Sequence, residues 1–107
     1  MDPTISSAPP EDEFEVFADL YAKPGRGDDL ECALRRVIRR VESEPGTLIY
    51  AIARDGENPN RFRVFERYTG REAFEKHFMS PEVKALIDAD AMEDPGSPKF
   101  FKVLKGL

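Results

Sequence analysis

The 107-residue chain contains no tryptophan, one cysteine (Cys32) and one histidine (His77). A single cysteine excludes an internal disulfide and any cysteine-based metal cluster. Beside Glu31, with no histidine in the local sequence, Cys32 is also a poor covalent nucleophile. One histidine, with no HExxH and no second histidine to pair with, leaves metal chemistry weakly supported. No apolar run approaches the roughly 18 residues of a membrane span. The acidic, proline-containing start inverts the basic-then-apolar order of a secretory leader. The expectation is a cytoplasmic protein without membrane partners. Lys and Arg number 16 against 21 Asp and Glu, for a net charge of −5. There is therefore no broad positive field to collect nucleic acid. Gly25 and Gly27 precede a helix, but lack the spacing and lysine placement of a phosphate-cradling loop. No nucleophile elbow marks a Ser–His–acid arrangement.

What is present fits one domain with one modest core, a size that often leans on a partner subunit. Residues 1–13 hold Asp2, Glu11, Asp12 and Glu13, three prolines and no basic residue. With few apolar groups to offset ordering entropy, they read as a disordered acidic tail. The body runs from residue 14 to 107. Phe14–Tyr21 alternates and is strand-prone. Asp28, with Glu31 three residues on, reads as a capped start for a helix whose apolar stripe is Leu30, Ala33, Leu34, Val37, Ile38 and Val41. Pro45-Gly46 stops it. Thr47–Arg54 and Arg61–Tyr68 read as strands joined by the turn at 55–60, hence an antiparallel hairpin. Thr69-Gly70-Arg71-Glu72 looks like a second capping box, opening a short helix to about Met79. Ser80-Pro81 opens another with Val83, Leu86 and Ile87 on its apolar side. Residues 91–98 read as a loop and Lys99–Lys105 as the last strand.

The order β-α-β-β-α-β predicts an α+β, ferredoxin-like fold: a four-stranded antiparallel sheet with its helices on one face. The other face carries apolar groups on more than one strand, a patch that a monomer would expose. A two-fold homodimer through that open sheet face would cover it.

The candidate chemistry centres on His77 and Glu66. Ala73, Phe74 and His77 share one helix face, which should point at the sheet. Glu66 and Tyr68 share a strand face with Phe62 and Val64, so Glu66 is expected inside. A buried carboxylate needs a partner, and His77, Tyr50 or an arginine could supply it. A half-buried Glu–His pair is a proton-transfer unit; the alternative is a buried network that only orders the hairpin–helix corner. Tyr50, placed on one strand face with Leu48 and Ile52, could line an apolar pocket with Tyr68, Phe74 and Phe78. Such a pocket suits a small hydrophobic aromatic ligand, although ordinary core packing would use the same residues.

Several of these features resemble the antibiotic biosynthesis monooxygenase family: Lys23-Pro24-Gly25, Glu44-Pro45-Gly46 before Tyr50, Phe62-Arg63-Val64-Phe65-Glu66-Arg67-Tyr68, Ala73-Phe74, His77 and Ser80-Pro81-Glu82-Val83. The similarity spans roughly residues 14 to 105. It implies a dimeric α+β barrel with a cavity between sheet and helices. In some members it implies oxidation of phenolic, polyketide-like aromatics to quinones by molecular oxygen, with no flavin, haem or metal cofactor. On that resemblance His77 moves the proton and Glu66 supports it, Tyr50 and Tyr68 position substrate oxygens, and Phe74 and Phe78 wall the pocket. Tyr68 stands where many relatives have tryptophan. The first strand lacks the asparagine of haem-degrading relatives, and Ile87 occupies the position of their haem-binding histidine, which disfavours haem degradation. The same Glu and His matches occur in small-molecule isomerases. A cofactor-free isomerase and a non-catalytic small-molecule-binding or pathway-accessory dimer are therefore the competing readings.

Overall fold

The computed structural model describes residues 8–95 and 98–106. Seven elements follow one another: β1 (Phe14–Tyr21), α1 (Gly27–Val41), β2 (Thr47–Arg54), β3 (Arg61–Tyr68), α2 (Arg71–Phe78), α3 (Pro81–Asp88) and β4 (Lys99–Lys102). The strands form one antiparallel sheet in the order β2-β3-β1-β4, with the helices on one face. The barrel expected from the resemblance does not form. β2 and β4 are separate edges of an open sheet. Neighbouring strands rotate by only about 20–25°, so four of them cannot curl far enough for the first and last to pair.

Two apolar clusters hold the helices down. Leu30, Leu34 and Val37 of α1 pack with Phe62 of β3 and with Val83 and Leu86 of α3. Phe14 and Val16 of β1 pack with Tyr68 of β3, flanked by Ala73, Phe74 and Phe100. Phe14 lies at the centre of the second cluster, its ring centroid 5.6 Å from Tyr68, 5.9 Å from Phe74 and 5.4 Å from Phe100. Such tilted and edge-on pairs add to the burial of the rings themselves.

Local details depart from the sequence reading at four places. α1 starts at Gly27, one residue before the expected cap. Asp28 and Asp29 lie in its first turn, and no side chain caps it. The two carboxylates are instead engaged by Arg54, 2.9 Å from Asp28, and by Arg26, 2.6 Å from Asp29, while still complementing the helix dipole. α2 likewise follows Gly70 without a side-chain cap, whereas Ser80 does accept from the Val83 amide with Pro81 at the first helical position. β4 ends at Lys102 rather than 105, although the Val103 amide still donates to the Glu13 carbonyl at 3.1 Å, in register with the Phe14–Lys102 pair. Leu48, expected on the face of Tyr50, is 47% exposed. A bulge between Thr47 and Ile49 adds a residue to β2 there. Thr47 and Tyr50, three residues apart, thereby both meet the helix side.

Of the acidic segment 1–13, residues 1–7 lie outside the described residues, as do residues 96–97 of the expected loop. Within 8–13, the Pro9 carbonyl accepts from Arg71 Nε at 2.7 Å. Glu13 accepts from Arg67 Nε at 2.6 Å and from Lys105 Nζ at 2.8 Å. Among the described residues, no helix is long and apolar enough to cross a membrane.

Candidate functional site

The site forms where the end of α1, the start of β2, the end of β3 and α2 converge. Gly46 sets the approach: a Cβ there would sit 2.5 Å from the Ala73 Cβ and 3.1 Å from Thr69 Oγ1. Only a glycine lets the turn before β2 come this close to α2. The turn is then fastened by Thr69 N donating to the Gly46 carbonyl at 2.9 Å and Thr47 N donating to the Glu44 carbonyl at 3.1 Å. Glu44 is thereby delivered to the inner face of α2, opposite His77.

His77 is 4% exposed. Its Nδ1 lies 2.8 Å from Glu44 Oε1, and its Nε2 lies 4.0 Å from Glu66 Oε1. The expected His77–Glu66 pair is therefore brought together, but Glu66 is the looser of two carboxylates around the ring. The residue that sequence reasoning missed is Glu44. In the sequence it stands out only within Glu44-Pro45-Gly46, a stretch shared with the family and given no chemical role. The signal was in the spacing. Leu30, Leu34, Val37 and Val41 recur at intervals of four, three and four, and a further step of three lands on Glu44. A carboxylate that continues a buried stripe must have been given partners.

Those partners are complete. Glu44 Oε1 accepts from His77 Nδ1 and, at 2.8 Å, from Thr47 Oγ1, while Oε2 accepts from Arg40 Nε at 3.2 Å. Burial alone would raise the Glu44 carboxyl, but the hydrogen bonds from His77 and Thr47, aided by Arg40, outweigh it and hold the group below the usual carboxylate range. Glu44 is thus ionised at neutral pH and can only accept. Nδ1 must therefore carry the ring proton, which leaves Nε2 as the atom facing Glu66.

Glu66 behaves oppositely. Burial pushes its carboxyl above the usual range, and only the Tyr68 hydroxyl and His77 pull it back. The Tyr68 hydroxyl is in close hydrogen-bond contact with Glu66 Oε1. Burial, reinforced by the charge of Glu66, drives the phenols of Tyr50 and Tyr68 far above their ordinary value. Both stay neutral and act as hydrogen-bonding groups rather than bases. Two carboxyl groups with opposite shifts thus flank one imidazole, an arrangement with the chemistry to pass a proton.

The ring walls are aromatic. Tyr50 and Tyr68 lie 5.0 and 5.5 Å from the His77 ring, and Phe74 meets Tyr68 edge-on at 5.3 Å. Phe78 does not reach the imidazole cluster through any described ring contact. It stacks on the outer side of Phe74 at 5.9 Å and is 53% exposed. Tyr68 is fully buried, so these side chains themselves fill the space around the pair. Among the described residues, no group of three or more His, Cys, Asp or Glu side chains is placed to hold a metal ion.

Residues 14–89 match the sequence family described as antibiotic biosynthesis monooxygenase. An uncharacterized protein of Synechocystis sp. is 25% identical over 95 residues, which cover 87% of this chain and 65% of the relative. The chain thus spans a little under two thirds of the length of that curated relative. Solved structures share the fold. A candidate antibiotic biosynthesis monooxygenase from Nitrosomonas europaea superposes with a TM-score of 0.76 at 21% identity, over 86% of this chain and 90% of its own. Another from Caulobacter crescentus gives 0.75 at 23%, over 89% and 92%. A Pseudomonas aeruginosa protein gives 0.73 at 19%, over 87% and 96%.

Proposed function

Because the chain belongs to the antibiotic biosynthesis monooxygenase family, we propose that it is a cofactor-independent monooxygenase acting on a small phenolic, polyketide-like aromatic with molecular oxygen. The observation that carries this reading is the buried His77, bonded at Nδ1 to Glu44 with Nε2 turned toward Glu66. The substrate supplies the electrons. His77 Nε2 takes the phenolic proton, and the electron-rich phenolate reduces oxygen and forms a C–O bond to it. The resulting peroxide accepts a proton from the His77–Glu66 pair. Its O–O bond breaks as the ring C–H proton leaves. Phenol and oxygen become quinone and water, so atoms and electrons balance. Tyr50 and Tyr68, both neutral, hold the substrate oxygens. Because side chains fill the space around the pair, the aromatic substrate is admitted by movement of Phe74 and the half-exposed Phe78.

The second part of the proposal is the homodimer. On the open sheet face Phe17 stacks on Phe65 at 4.8 Å and meets Phe101 at 5.6 Å, and Phe17 and Phe101 are each 49% exposed. Around them Asp19 pairs with Arg61 at 3.2 Å and Glu15 with Arg67 at 3.7 Å. An apolar centre within a rim of both charges is complementary to a copy of itself.

The test is oxygen uptake with a panel of mono- and polycyclic phenols, followed by quinone absorbance. Uptake that falls on the order of a hundredfold or more in His77→Ala, with a folded protein, supports the assignment. Turnover of a panel compound without oxygen uptake would replace the oxygenase with an isomerase using the same proton pair. No turnover at all would leave a binding protein.

A further inference from the structure

The imidazole of His77 is almost wholly enclosed, so any proton it exchanges with solvent passes through a neighbouring group. The groups facing it are Glu44 from the α1–β2 turn, Tyr50 from β2, and Glu66 and Tyr68 from β3. Tyr50 and Tyr68 are phenols held neutral, and Glu66 is engaged by the Tyr68 hydroxyl. The side chains of Glu44 and Glu66 are alike in exposure, 11% and 13%. Glu44 differs in what it borders: it lines a surface pocket of about 330 Å3, shared with Arg40, Gly46, Thr47, Ala73 and Lys76. His77 lies on one side of its carboxylate and the pocket on the other. Around the carboxylate, Arg40 also approaches Glu82 of α3 at 3.7 Å, and Lys76 pairs with Glu72 at 3.2 Å. The rim therefore carries both signs of charge and offers no single-sign trap for a ligand.

We propose that Glu44 is a positioning residue that locks His77 in its Nδ1–H form, and that its carboxylate is the port through which the buried His77–Glu66 pair exchanges its proton with solvent in this pocket. The use of this port in turnover rests on the oxygenase reading above, but the port itself does not. When Nε2 also holds a proton, the Nδ1 proton passes to Glu44 Oε1, 2.8 Å away, and leaves a neutral ring. The carboxylic acid exchanges that proton with water in the pocket and returns one to Nδ1, which restores the ionised carboxylate favoured by Thr47 and Arg40. The port lies at the opposite ring nitrogen from the one that meets Glu66.

The experiment is nitrogen-15 NMR of the full chain labelled at histidine. His77 is the only histidine, so the two ring signals need no assignment. The wild-type ring is expected to show a protonated Nδ1 and a bare Nε2 in its neutral form. In Glu44→Gln the side-chain amide oxygen still accepts from Nδ1, but it cannot take up the proton. Exchange of the ring N–H with water should slow on the order of a hundredfold, and Glu44→Asp should restore part of the rate. A merely structural Glu44 predicts the reverse: loosening the turn lets water in, and exchange quickens. Faster or unchanged exchange in Glu44→Gln, or a wild-type ring protonated at Nε2, overturns the proposal. If the Glu44 variants fail to fold, Ser43→Phe, on the exposed rim of the same pocket, should slow exchange by covering the opening, and unchanged exchange there overturns it equally. Slowed exchange in a protein that consumes no oxygen with any phenol would retain the port and discard the oxygenase. Oxygen uptake with unchanged exchange in Glu44→Gln would do the opposite.

Discussion

Replacing Glu44 by alanine removes one side chain and strands two buried donors. His77 Nδ1–H and the Thr47 hydroxyl both lose their acceptor, and the two residues are 4% and 9% exposed. Leaving a buried donor unsatisfied costs about 1–3 kcal/mol, so the pair amounts to about 4 kcal/mol. The third donor, Arg40, has a side chain 38% exposed and recovers water, so its contribution is small. A chain of this size has a total stability of about 5–15 kcal/mol, so the variant should remain folded but be visibly weakened. In urea, with a slope of about 2 kcal/mol per molar, the midpoint should fall by about 2 M without a change of slope. The loss should also depend on pH. Glu44 is held below its unfolded value of 4.5. Its stabilisation is thus fully present above that value and is lost as pH falls through the lower, folded value. The gap between wild type and Glu44→Ala should narrow on acidification below 4.5. In a His77→Leu background, Glu44→Ala should cost less, with a coupling of about 1–3 kcal/mol. A shift under about 0.5 kcal/mol at neutral pH, the size of an ordinary surface substitution, would refute the reasoning, and so would a gap that does not change with pH.

Glu66→Gln should show the opposite pH trend. Burial raises Glu66 above 4.5 in the folded state, so the native protein binds the proton more tightly and loses stability as pH climbs from 4.5 through the folded value. The glutamine variant lacks this loss, and its urea midpoint should gain on wild type as pH is raised from about 5 to about 8. On the other sheet face, the proposed homodimer predicts a dimeric wild type in sedimentation equilibrium and a monomeric Phe65→Asp with unchanged helix content. Retention of the dimer would place the contact elsewhere.

The fold was legible wherever a single period governed a segment. β1, β3 and the stripe of α1 follow from alternation and helical spacing, and Ser80-Pro81 marks α3 because capping there is local chemistry. Legibility failed where tertiary contacts redirected a side chain. Asp28 is a good cap by composition, but Arg54, 26 residues away in sequence, engages its carboxylate, and the helix opens one residue earlier. Leu48 was assigned to the face of Tyr50 by strict alternation, which the bulge after Thr47 breaks. The barrel was expected from relatives, not from residues, and the strand order of this chain is open.

The candidate site divides in the same way. Glu66 was legible as a misfit, a carboxylate on a strand face otherwise apolar, and His77 as the histidine on the inner face of α2. Glu44 was hidden because its neighbours Pro45 and Gly46 gave a sufficient local explanation for that stretch. Its role depends on the bulge, which turns Thr47 inward, and on the bare Cα of Gly46, which lets α2 approach. Neither effect is a property of Glu44 itself. The consequence is chemical. With Glu66 alone, His77 would face one carboxyl biased toward its protonated form, and neither ring nitrogen would be assigned. With Glu44 ionised at Nδ1, the ring is oriented, Nε2 is the nitrogen left bare, and two carboxyl groups on one imidazole are driven in opposite directions. The asymmetry between a carboxylate fastened by three donors and one buried against a tyrosine is what makes the cluster directional. That asymmetry exists only once the turn before β2 has packed against α2.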